Sequence, residues 1–138
     1  MELRQEAFHL LRQLFQQHTA HWQQALPELT KPQYAVLRSI DEHPGIEQVA
    51  LTEAAVSSKA TLAEMLSRME SRGLVKREAD PADKRRRFIF LTPEGEALLR
   101  GCKPVGNNVD NAFLGRLTAE ERRQFTDLVR KMMSKERE

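Results

Sequence analysis

The stretch LVKREADPADKRRRFIFL, from Leu74 to Leu91, decides how this chain is read. Its ends, Leu74-Val75-Lys76-Arg77-Glu78 and Arg87-Phe88-Ile89-Phe90-Leu91, are β-prone, and Asp80-Pro81-Ala82-Asp83-Lys84 between them is polar and turn-forming. Two strands around such a loop predict a hairpin. Charge marks the same place. From Arg72 to Arg87 there are seven basic residues against three acidic ones, about +4, while the whole chain carries a net +2. The remainder is therefore slightly acidic. Cations gathered on one protruding loop form an electrostatic footprint for phosphate. The other reading is a charged edge hairpin protected against aggregation. Asp83 is close enough to Arg85 to hold that side chain extended, which preorganises the loop rather than stabilising it.

Immediately upstream, Leu62, Met65, Leu66 and Met69 recur at i, i+3, i+4 and i+7, so a helix from Ser58 to Arg72 packs this face inward and ends at Gly73, an αL cap. Its opposite face presents Ser57, Ala60, Thr61, Glu64, Ser67, Arg68 and Ser71. Small and hydrogen-bonding side chains suit the floor of a DNA major groove, although an ordinary solvated helix face has the same look. A short helix is predicted from Glu47 to Ala55. Before it, Thr30 caps a helix with Pro32 in its first turn, and His43-Pro44-Gly45 stops that helix near Glu42.

The flanks are helical. Residues 3–25 carry one long amphipathic pattern: Leu3, Ala7, Leu10, Leu14, His21 and Ala25 on one face, Phe8, Leu11, Phe15 and Trp22 beside it. A sector that wide suits two neighbours. After the hairpin, Thr92-Pro93-Glu94-Gly95 opens a helix with a break expected between Lys103-Pro104 and Asn108. Thr118-Ala119-Glu120-Glu121 has the spacing of a capping box, ahead of Phe125, Leu128, Val129 and Met132. The predicted order is α-α-α-α-β-β-α-α, mostly α with a small β-hairpin wing.

Bulk properties bound the function. The 138 residues are one domain's worth of chain, and no run of 18 apolar residues exists to span a membrane. The start, MELRQEAFHLL, has neither the basic opening nor the apolar run of a signal peptide. One cysteine, Cys102, rules out an intramolecular disulfide and fits a reducing cytoplasm. It reads as a buried thiol, with a redox sensor as the alternative. No Gly-rich phosphate loop, nucleophile elbow or Cys-x-x-Cys pair points to an enzyme or a cofactor. His18 and His21 have a metal-compatible spacing but no obvious third and fourth ligand.

Taken in order, Leu29-Thr30-Lys31-Pro32-Gln33-Tyr34-Ala35-Val36-Leu37, Lys59-Ala60-Thr61, Glu70-Ser71-Arg72-Gly73-Leu74-Val75, Asp80-Pro81-Ala82-Asp83-Lys84-Arg85 and Leu91-Thr92-Pro93-Glu94-Gly95 resemble the successive signatures of MarR-type regulators. The resemblance covers nearly the whole chain. It implies a winged helix-turn-helix lobe over residues 30–92, with dimerisation helices over 1–26 and 93–138, in a homodimer that binds double-stranded DNA. It also implies that Ser57, Ser58, Lys59, Thr61 and Arg68 meet the major groove or its phosphates. Arg85 would enter the minor groove, with Lys84 and Arg86 on the backbone. Two departures stand out. The helix-turn-helix connection reads Ala55-Val56-Ser57 where a glycine is usual, and Glu64 replaces the usual basic residue of the recognition helix. A carboxylate there accepts from cytosine N4 or orients Arg68 one turn on.

Regulators of this kind commonly respond to small aromatic or phenolic acids held between the dimer helices and the winged lobe. His9, Arg12, Phe15, His18 and Trp22 of the first helix, with Tyr34 and Arg38 of the second, supply aromatic walls and cationic donors for a monocyclic aromatic or heteroaromatic acid. Core packing for Phe15, Trp22 and Tyr34 is the competing account. The functional expectation is a DNA-binding repressor released by such an acid. The alternatives are a winged-helix adaptor without DNA contact, or a sensor of oxidant or metal.

Overall fold

The computed structural model describes residues 1–134; positions 135–138 of the predicted dimerisation stretch lie outside the described residues. The elements, in order, are α1 (Ala7–Ala25), α2 (Lys31–Glu42), β1 (Ile46–Glu47), α3 (Gln48–Ala54), α4 (Lys59–Ser71), β2 (Val75–Ala79), β3 (Arg87–Leu91), α5 (Pro93–Leu114) and α6 (Ala119–Met133). The helix–helix–strand–helix–helix–hairpin run is the winged helix-turn-helix arrangement anticipated above.

Helix boundaries follow local chemistry. Thr30 and Thr118 form complete capping boxes with Gln33 and Glu121, and Thr92 accepts from the Gly95 N–H at 3.0 Å. Thr92 also ties the wing down: its hydroxyl donates to the Gly73 carbonyl at 2.6 Å and its N–H to the Leu74 carbonyl at 3.0 Å. Gly73 takes φ 76° after α4, as an αL cap requires.

The predicted inward face of α4 is the centre of the core. Leu62, Leu66 and Met69 are completely buried with Val36, Leu37 and Ile40 of α2, Leu51 of α3 and Ile89 of β3. The sheet is antiparallel in the order β1-β3-β2, with Val75 opposite Leu91 and Arg77 opposite Ile89. That register puts Val75 and Ile89 on the buried side. Phe88 and Phe90 on the other face are covered by Arg86 and Lys76, whose cationic groups stand 5.2 and 5.6 Å from the ring centres.

Three expectations are corrected. The first helix starts at Ala7, not Leu3: residues 3–5 form a 3-10 turn and Glu6 is extended. Glu47 belongs to a short strand paired with Phe88, because β3 lies beside it, and α3 starts one residue later, at Gln48. The break near Pro104 does not occur, and α5 runs unbroken through it. Proline forfeits one helical hydrogen bond, but Leu99, Cys102, Gly106 and Val109 on both sides are buried together against α1 and α2, and that packing holds the helix. Gly106 permits the close approach, since a Cβ there would lie 3.0 Å from the Trp22 ring.

Candidate functional site

The predicted residues fall into two separate groups. The first is the exposed surface made by α4 and the wing. Ser58 caps α4 through the Thr61 N–H at 3.1 Å, which fixes the helix start and leaves Lys59, Thr61, Glu64 and Arg68 exposed, with Ser57 half-buried beside them. Glu64 and Arg68 stand 3.9 Å apart one turn along, so the unusual carboxylate does face that arginine. The connection without glycine is strained: Val56 adopts φ 56°, a conformation that β-branched residues rarely take, and its side chain is 91% exposed.

The wing loop is built on two aspartates. Asp80 accepts from the Ala82 N–H at 2.8 Å and Asp83 from the Arg85 N–H at 3.0 Å, so each side chain closes a turn on its own backbone. Asp83 also holds the Arg85 guanidinium, with Nε at 3.1 Å from Oδ1. These bonds from Arg85 keep the Asp83 carboxyl below its usual pKa. Arg85 is thereby tied to its own loop yet 91% exposed along its side chain. Its neighbour is placed differently. Arg86 turns back to Glu47 at 3.1 Å and Asp80 at 3.3 Å. Between wing and helix-turn-helix lies a cleft of about 480 Å³ lined by Lys59, Lys84, Arg85, Arg77, Arg87 and Gln48 among others. The last three were not singled out in the sequence. Arg77 and Arg87 lay in plain view as charges, but only strand register decides that they face the cleft.

The second group surrounds the junction of α1, α2 and α5. The seven residues predicted for an effector do not line one cavity within a single chain. His9, Arg12 and Phe15 border an open groove along α1. Trp22 is 3% exposed and its indole N–H donates to the Leu29 carbonyl at 2.8 Å, so it is a core residue as well as a wall. Tyr34 meets Trp22 edge-on at 4.9 Å, and its buried hydroxyl has no hydrogen-bond partner. Arg38 pairs with Glu42 at 3.2 Å and stands over the Tyr34 ring at 5.8 Å. His18 is bracketed: Asp110 lies 2.7 Å from Nε2 and Lys31 3.1 Å from Nδ1. Phe113 packs on its ring at 5.4 Å. Sequence reading missed Lys31, Asp110 and Phe113. Lys31 was visible only as a helix-start residue, and Asp110 is 92 positions from its histidine.

Among known proteins, the MarR family model matches residues 29–86. Transcriptional regulator HosA of Escherichia coli O157:H7 is 69% identical over 134 residues, 97% of this chain and 99% of its own length. The chain belongs to the MarR family. Two solved MarR-type structures are similar over nine-tenths or more of their length. BpsR of Bordetella bronchiseptica, whose DNA binding is regulated by 6-hydroxynicotinic acid, has a TM-score of 0.92 at 30% identity, with 99% of each chain covered. A mutant MarR from E. coli complexed with operator DNA has a TM-score of 0.83 at 29% identity, with 91% of each chain covered.

As a MarR-family member the protein is a transcriptional regulator and not an enzyme. Cys102 of this MarR-type chain is 5% exposed, and burial pushes its thiol pKa up, the opposite of what a reactive thiolate needs. Among the described residues, no cluster of three or more potential metal ligands occurs and no helix is long and apolar enough to cross a membrane.

Proposed function

We infer that this MarR-family regulator is a homodimeric repressor that binds a pseudo-palindromic operator and releases it on binding a small aromatic or heteroaromatic acid. The observation that carries the DNA reading is the wing. Arg85 is held by Asp83 in a loop closed on its own aspartates, with its side chain 91% exposed. Such a group enters a narrow minor groove without first having to be ordered. Ser57, Ser58, Lys59, Thr61, Glu64 and Arg68 face the major groove in this reading, and Lys84 and Arg86 meet the backbone. The likeness to MarR in complex with operator DNA supports it. Two copies would set their recognition helices about one helical turn apart on imperfectly palindromic half-sites.

Support for the dimer comes from the terminal helices. Phe8, Leu11, Phe15, Phe125, Val129 and Met132 line an almost wholly apolar groove, and a second copy covers it in this reading. Support for an acid effector comes from the unpartnered Tyr34 hydroxyl among aromatic walls, and from the response of BpsR to 6-hydroxynicotinic acid.

The test begins by sequencing the DNA that the purified protein retains from sheared genomic fragments. Binding to the recovered operator is then titrated at several salt concentrations. Arg85→Ala weakens it by ~1–3 kcal/mol and flattens the salt dependence. Unchanged affinity of that variant would remove the wing from the interface, and no enrichment of any sequence would favour the adaptor.

A further inference from the structure

Lys31 is the cation of this molecule whose surroundings call for an anion that the described chain does not provide. It is the first residue of α2, half-buried, and its ammonium stands 5.9 Å over the centre of the Phe15 ring. Unlike Arg38, Arg86 or Lys103, it has no carboxylate within ion-pair distance among the described residues. Its one hydrogen-bond partner is neutral. An ammonium can only donate, so the His18 Nδ1 that it faces must carry a lone pair, and the proton of the ring must sit on Nε2, donated to Asp110. The partners thus assign His18 as the neutral Nε2–H tautomer, a link in the chain Lys31–His18–Asp110 across α2, α1 and α5. Burial holds the Lys31 ammonium below the usual lysine pKa, against the opposing pull of Asp110.

Aromatic rings lie close to the same spot. Phe15 lies under the ammonium, and Phe113 and Trp22 lie 5.4 and 6.1 Å from the His18 ring. A flat acid with its ring among these and its carboxylate on Nζ would give Lys31 the charge-assisted partner it lacks. Arg38 of the same junction already spends its guanidinium on Glu42.

We propose that Lys31 is the residue that receives the effector's carboxylate, and that His18 senses its arrival. This rests on the acid-effector reading above. Binding exchanges the Lys31–His18 hydrogen bond for an ionic one to the ligand and frees Nδ1. Because α2 begins at Lys31, the exchange acts at the root of the winged lobe, while His18 and Asp110 stay with the terminal helices. That gives the two DNA-binding states different affinities for the acid, as ligand-driven release requires.

The experiment titrates the full-length protein by calorimetry with 6-hydroxynicotinic acid and the monohydroxybenzoic acids, each beside its uncharged amide. The acids bind the unmodified protein and the amides bind at least about tenfold more weakly. Lys31→Met weakens acid binding about tenfold or more, and Lys31→Arg retains it in part. Melting curves check that each variant is folded. A nitrogen NMR spectrum of the histidine rings in the unmodified protein avoids the folding question: the His18 Nδ1 resonance moves on adding acid and stays put on adding amide. Acid affinity unchanged in Lys31→Met, or a static His18 resonance beside measurable binding, overturns the proposal and leaves the acid-effector reading intact. Failure of every acid to bind the unmodified protein overturns both.

Discussion

The winged lobe and the terminal helices solve burial in different ways. In the lobe, α2, α3, α4 and β3 close a core within one chain, and its charges are tied locally, as Arg86 is to Glu47 and Asp80. In the terminal helices, Phe8 is 73% exposed, Phe125 39% and Met132 64%, and α6 buries no residue completely. An apolar helix face open to water is unfavourable at roughly 25 cal/mol per Å². The lobe is a finished object that presents charge; the terminal helices leave an apolar face open, which the proposed second copy would cover. Lys31, His18 and Asp110 join the two.

Substitutions that separate these regions test the contrast. The largest effect belongs to the closed core: Leu66→Ala lowers the unfolding free energy by ~2–5 kcal/mol in urea titrations, whatever the protein concentration. A loss under ~1 kcal/mol would mean that the lobe depends on a partner for its core. Next comes the open face. Val129→Asp puts a charge into the apolar groove, so sedimentation at micromolar concentration shows monomers and operator affinity falls by ~2 kcal/mol or more, while the monomer's helical spectrum is kept. Dimers that persist in this variant would move the interface elsewhere.

A finer comparison lies inside the wing. Arg85 is tied to one carboxylate of its own loop and Arg86 to two, so Arg86→Ala weakens operator binding by less than ~1 kcal/mol, below the effect of Arg85→Ala, because Arg86 gives up both carboxylates to reach a phosphate. Equal losses would show that Arg86 leaves Glu47 and Asp80 on DNA. The smallest effect is the strained turn. Val56→Gly relieves a positive φ without loss of packing and raises stability by ~0.5–1 kcal/mol, the relief of ~1–2 kcal/mol set against the greater freedom of glycine in the unfolded chain. Differential melting checks this, and a destabilised variant would mean that the Val56 side chain makes contacts not seen in a single chain.

Periodic and local features are legible along the chain. The apolar rows of α4, the caps at Thr30, Thr92 and Thr118, the αL glycine at 73 and the Asp83–Arg85 pairing are set by spacing and by chemistry within a few residues. Family resemblance, read from ordered motifs, added the winged helix-turn-helix that the comparisons show. Tertiary structure decided what depends on partners distant in the chain. Helix α5 crosses Pro104 because its neighbours bury it on both sides, Glu47 becomes strand because β3 is beside it, and Arg86 and Arg85, adjacent and alike in sequence, part because only one has Glu47 within reach. Lys31 is the clearest case. As a letter it reads as an ordinary helix-start lysine; packed, it stands 3.1 Å from the Nδ1 of a histidine whose Nε2 faces an aspartate of α5.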